Sequence, residues 1–133
     1  MFESLDIAAS GVGLAQTWLD TIAHNLANVN TVRPPGEEPF RADLVWAEEN
    51  VEGPGYNGSG VRVRRFVDQE GAPMRVYDPT HPLADEDGIV TLPVVDMAGQ
   101  MADLIVAQRS YQLNLRVIET SREAYETALR IGR

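Results

Sequence analysis

The chain has 133 residues, the size of one domain, and 44% of them are hydrophobic, enough to bury a core. Its formal net charge is -9, all eleven basic residues are arginine, and there is no cysteine. This balance argues against a nucleic-acid binder, which presents a basic face, and the missing cysteine excludes disulfides, thiolate catalysis and zinc-thiolate sites.

Residues 1–32 read as a first unit dominated by one helix running to about residue 31. Leu5, Val12, Leu19 and Leu26 recur every seven residues, and Ala8, Ala15, Ile22 and Val29 form a second row three positions behind them. Two such rows are the seam of a coiled coil. Gly11 and Gly13 each cost about 1 kcal/mol inside a helix, so a partner outside the isolated helix is expected to compensate. Glu3 and Asp6 stand where a cleaved signal peptide would carry positive charge, and no apolar run approaches the ~18 residues of a membrane span.

Residues 33–96 have a different texture. They hold all eight prolines, most of the glycines and thirteen acidic residues against six arginines. Short alternating runs predict strands at Val61–Val67, with a bulge at Arg64-Arg65, and at Met74–Tyr77 and Ile89–Leu92; Ala42–Ala47 reads as either strand or helix. Turn signals separate them at Arg33-Pro34-Pro35-Gly36, Gly53-Pro54-Gly55, Asn57-Gly58-Ser59-Gly60 and Asp87-Gly88.

Residues 97–133 form a second long helix closed by Gly132. Met97, Leu104, Tyr111, Ile118 and Tyr125 are spaced by seven, and Met101, Gln108, Leu115, Arg122 and Leu129 give a second row four positions behind. The pairing seam expected from the large residues is Leu5, Val12, Leu19, Ile22 and Leu26 against Leu104, Tyr111, Leu115, Ile118 and Tyr125. Phe2, Ile7, Trp18, Ile105 and Ile131 fall off these rows and are candidates for contacts between subunits. The fold class is therefore α+β: long terminal helices pairing as a coiled coil around a small, β-rich, loop-rich insert.

Catalytic and metal-binding patterns are absent. His24 and His81, the two histidines, have no second ligand at helical spacing, and there is no HExxH, P-loop or GxSxG string. Gly11-Val12-Gly13 lacks the preceding strand of a dinucleotide site. Aligning Asp87-Gly88 with positions 5 and 6 of an EF-hand loop puts Leu83 and Val94 where oxygen ligands belong, so the acidic stretch reads as a turn. Nothing beside Glu48-Glu49 or Asp85 and Asp87 shapes a hydrolase site around those carboxylates. Asn57-Gly58-Ser59 fits a glycosylation acceptor by spacing alone. Arg62, Arg64 and Arg65 form one dense basic cluster, suited to an acidic partner or to guarding a strand edge. No catalytic residue, metal or cofactor is expected, and the chain reads as a non-enzyme.

Three strings carry a resemblance. Asn25-Leu26-Ala27-Asn28, followed by Thr31, resembles the signature that ends the N-terminal helix of flagellar rod and hook proteins. Arg109-Ser110-Tyr111-Gln112-Leu113-Asn114 is similar to a C-terminal element of the same family, with Ser110, Tyr111 and Asn114 as its matching positions. Val76 to Asp85, followed by Gly88-Ile89-Val90, resembles a stretch typical of the proximal-rod members of the flagellar basal-body rod protein family. Order, spacing and length agree as well. Leu113 and Val94 depart from the alanine and asparagine usual there. The resemblance implies a structural subunit of the proximal rod, exported through the flagellar type III apparatus without a cleaved signal peptide and housed in the periplasmic basal body. It implies as partners copies of itself, other proximal and distal rod subunits and the export apparatus, and neither nucleic acid nor a small-molecule substrate. Asn25, Asn28 and Thr31 are expected to satisfy loose backbone groups where the helix ends. A secreted coiled-coil adaptor or chaperone is the alternative reading.

Overall fold

The computed structural model describes residues 2–51 and 58–132. The turn signal Gly53-Pro54-Gly55, Asn57 of the glycosylation pattern and the Phe2 side chain lie outside the described part.

Helix α1 spans Phe2–Ala27 and α2 spans Met97–Ile131. At about 1.5 Å per residue they are roughly 39 and 52 Å long. The first helix closes at Ala27, earlier than its period predicts, because Asn28 turns the chain. Its Nδ2 donates to the His24 carbonyl (2.9 Å) and its Oδ1 accepts from Thr31 Oγ1 (3.1 Å). The second helix is opened by Asp96, whose Oδ1 accepts from Gly99 N (3.1 Å), and ends as expected at Gly132, whose N–H donates to the Ala128 carbonyl (3.2 Å).

The insert carries two antiparallel hairpins. Strand β1 (Asp43–Glu49) pairs with β2 (Val61–Asp68), and β3 (Arg75–Tyr77) pairs with β4 (Ile89–Thr91). The ambiguous Ala42–Ala47 stretch is therefore strand. The register of the first hairpin shifts between Trp46, opposite Arg65, and Ala47, opposite Val63, which leaves Arg64 as the extra residue of a bulge. The segment before β1 gathers the chain together. Val94 N donates to the Phe40 carbonyl (2.7 Å), Ala42 N to the Val94 carbonyl (3.0 Å), and Gln69 N to the Ala42 carbonyl (2.7 Å). Both the end of β2 and the approach to α2 are thus tied to one short stretch.

A lone hairpin is marginal in water, and β1–β2 lies along α1 for support. Ser10 Oγ accepts from Val61 N (3.0 Å) at one end, and the Asn25 side chain holds Asp43 at the other. Between Ser10 and Asn25 the helix rises roughly 22 Å, close to the roughly 23 Å spanned by a seven-residue strand. Gly60 enters this contact at φ +99°, and a Cβ there would run into Ser10. The core is thin: Ala8, Ala15, Ile22, Phe40, Ala42, Val90, Val94 and Ala107 are its buried apolar residues.

Candidate functional site: the helix pair and its polar contacts

The terminal helices pack antiparallel along their length. Asn25 Nδ2 donates to Gln100 Oε1 (2.9 Å) near one end, and Gly11 faces Asn114 toward the other. In both pairs the residue numbers sum to 125, so one register holds throughout. It sets Ala8 level with Val117 and Ala15 level with Ser110, next to the half-buried Ile118 and Tyr111. It also carries the last two turns or so of α2 past the start of α1.

The structure redistributes the rows read from the sequence. On α1 the alanine row, Ala8, Ala15 and Ile22, is buried, while Leu5, Val12, Leu19 and Leu26 are half-buried beside it. On α2 Leu104, Tyr111 and Ile118 are half-buried, and Met97 and Tyr125 are exposed. The second row expected on α2 is corrected. Met101, Gln108, Leu115, Arg122 and Leu129 are all exposed, and the inward row lies one position earlier, at Gln100, Ala107, Asn114 and Ser121. The physical reason is distance: a helix lying close against alanine and glycine admits small side chains and short amides, not methionine and leucine. The signal was present as a heptad of small and polar residues, outweighed by the larger apolar ones.

Asn25 is the second correction. It does not cap the helix; it is 0% exposed. Its Nδ2 donates to the Asp43 carbonyl (2.8 Å) as well as to Gln100, and its Oδ1 accepts from Asp43 N (2.8 Å). The side-chain amide thereby stands in for a neighbouring strand at the start of β1, and Gln100, 3% exposed, completes it from α2. Gln100 was not singled out from the sequence. Among the described residues no buried side-chain nitrogen or oxygen lacks a partner. The other motif residues sit close by: Leu26 half-buried, Ala27 closing α1, and the Ser110 carbonyl accepting from Asn114 Nδ2 (2.9 Å).

The interior glycines divide. A Cβ at Gly11 would lie 2.7 Å from Asn114 Oδ1, so the close approach of α2 accounts for it. Gly13 is exposed with nothing within 4 Å of a Cβ. Gly13→Ala is therefore expected to stabilise the isolated chain by up to about 1 kcal/mol in urea unfolding; no gain would mean that an unseen contact occupies that position.

The acidic turn serves its own backbone. Asp85 Oδ1 accepts from Asp87 N (3.0 Å) and Ile89 N (2.8 Å), and Asp85 Oδ2 meets Arg75 (3.4 Å). Hydrogen bonds from Thr80 hold the carboxyl of the half-buried Asp78 below its ordinary range. Among the described residues no group of three histidine, aspartate or glutamate side chains could hold a metal ion.

Known proteins match this sequence over almost all of its length. The chain is 36% identical over 127 residues to the flagellar basal-body rod protein FlgC of Yersinia enterocolitica, covering 96% of this chain and 94% of that protein. It is 37% identical over 128 residues to FlgC of Aquifex aeolicus (95% and 92%) and 32% identical over 148 residues to FlgC of Borreliella burgdorferi (98% and 97%). The chain is a FlgC-like member of the flagellar basal-body rod protein family. The profile of the flagella basal body rod protein matches residues 5–34, and that of the flagellar basal body rod FlgEFG protein C-terminal region matches residues 88–131. These two segments hold both faces of the helix pair, including Gly11, Asn25, Gln100 and Asn114. The family signature and the packed seam therefore coincide, and the β1–β2 hairpin lies between the two matched segments.

Proposed function

We propose that this chain is a structural subunit of the proximal rod of the flagellar basal body. It polymerises through its terminal helices, paired as a coiled coil, with copies of itself and with neighbouring proximal and distal rod subunits, and it works as part of the drive shaft without catalysing a reaction. One observation carries the reading beyond family membership: α2 is packed on one narrow face and leaves apolar side chains exposed around the rest. Met101 is 44% exposed, Ile105 54%, Val106 51%, Leu113 62% and Val117 46%. A helix apolar on several sides is one that further neighbours cover. Of the off-row residues, Ile7, Ile105 and Ile131 are exposed and belong to that set, whereas Trp18 is half-buried. Contacts that do not close on themselves generate a helical tube. Export by the flagellar type III apparatus to the periplasmic rod, without a cleaved signal, belongs to the same proposal.

Deleting the gene in its host is expected to give non-motile cells whose basal bodies, viewed by electron microscopy, lack rods or stop near the inner membrane. The intact gene restores them. Motile cells with normal basal bodies would remove the rod assignment.

A further inference from the structure

The outer face of the β1–β2 hairpin joins a basic cluster to exposed apolar surface. Register pairs Leu44 with Val67, Trp46 with Arg65 and Glu48 with Arg62, and directly paired residues point to the same side of a sheet. The opposite side rests on α1 through Val45, Val61 and Val63, which are half-buried. Leu44 and Trp46 are 40% and 50% exposed. The charged groups on this face are held in place. Glu48 Oε1 meets Arg62 (2.9 Å) and Glu48 Oε2 meets Arg64 (3.1 Å), while the Arg65 guanidinium lies 4.8 Å from the centre of the Trp46 ring. Arg62 and Arg64 still leave 62% and 60% of their side chains open to water. Around Glu48 and Trp46 the three guanidiniums outnumber the one carboxylate they meet, a positive patch on a chain of net charge -9, while Asp68 and Glu70 border its Leu44 end.

We propose that this face docks a second copy of the chain through that copy's acidic turn, the exposed Glu86 and Asp87. The inference rests on the rod reading, since it concerns how copies meet in a polymer. Charge decides the occupant. Copies that each carry -9 repel one another, so contact between them is favoured where opposite signs meet. The chain carries both halves of such a contact. The turn is preorganised by Asp85, which spends its own carboxylate on the backbone and Arg75 and leaves Glu86 and Asp87 pointing outward without an ion pair among the described residues. The hairpin is preorganised by Glu48 and Trp46. Two surfaces already in their bound arrangement lose little entropy on meeting. The apolar surface of Leu44 and Trp46 beside the arginines supplies the area that ion pairs alone do not. Because the two surfaces differ, the contact is head-to-tail and propagates.

The test is a charge exchange, read as the amount of the chain in purified basal bodies from cells lacking the native gene. Arg62→Glu, Arg64→Glu and Arg65→Glu together are expected to lower incorporation by about tenfold or more, because like charges then face one another. Glu86→Arg with Asp87→Arg is expected to do the same, and all five changes in one chain to restore incorporation. Normal incorporation of the triple variant would overturn the proposal. So would loss without restoration, which would assign the arginine face to a different protein. Should the triple variant fail to fold by circular dichroism, Arg65→Cys with Asp87→Cys decides. The natural chain has no cysteine, so a disulfide linking copies in oxidised basal bodies supports the contact and its absence refutes it. A gene whose deletion leaves rods intact would instead refute the rod reading itself, so the two failures are distinguishable.

Discussion

Asn25→Ala is expected to destabilise the isolated chain by about 3 kcal/mol, lowering its thermal midpoint by roughly 10 °C. The loss has three parts. Asp43 N–H and C=O lose their side-chain partner, Gln100 Oε1 loses its donor, and the truncation leaves a small void at a site 0% exposed. A buried group stripped of its partner costs about 1–3 kcal/mol, more than the hydrogen bond contributed when made. Asn25→Asp should fare little better, since it removes the amide donor and adds a buried charge. The measurement is urea unfolding followed by circular dichroism, with amide exchange at Asp43 as the local readout. A loss under 1 kcal/mol, with Asp43 still protected, would mean that β1 is held by something other than Asn25. Gln100→Ala should cost less, because the two bonds between Asn25 and Asp43 survive it.

Gly11→Leu is expected to be comparably damaging for an opposite reason. Here the penalty comes from filling space rather than emptying it. The first added carbon already meets the Asn114 carboxamide, whose Nδ2 is bonded to the Ser110 carbonyl, and a leucine must push the helices apart. Overpacking of this kind costs about 1–3 kcal/mol. Gly11→Ala is the control. Asn114 can swing its amide aside, and alanine recovers about 1 kcal/mol of helix propensity, so the net effect is small. Near-equal stabilities for Gly11→Leu and Gly11→Ala, by thermal melting, would show that α2 does not approach at this point. Asn114→Gly with Gly11→Leu should regain part of the loss, because it clears the opposing position.

Much of the architecture was legible from local rules. Seven-residue spacing marked both helices, Gly132 marked the end of the second, and alternation with turn residues marked three of the four strands, leaving the β1 stretch open between strand and helix. These features are carried by the chain's own backbone preferences and by which side chains avoid water, and both are written locally. The identity of the inward face of α2 was not. Met101, Leu115 and Leu129 outrank Gln100, Ala107 and Asn114 on any hydrophobicity scale, yet they point outward. Which row turns inward depends on how closely the other helix approaches, and that distance is set by Gly11, Ala8 and Ala15, about a hundred residues away in the chain.

The same division explains Asn25. Sequence marks an asparagine near a helix end, where capping is the common use. It cannot show that β1 and α2 converge on one side chain, because that convergence exists only once the antiparallel register and the Ser10 and Val61 contact have laid the hairpin along the helix. The sequence by itself therefore determined both helices, all the strands but β1, their order and the family to which the chain belongs. Tertiary structure alone decided which side chains meet, because meeting is a matter of distance across the fold, and no local pattern encodes that distance.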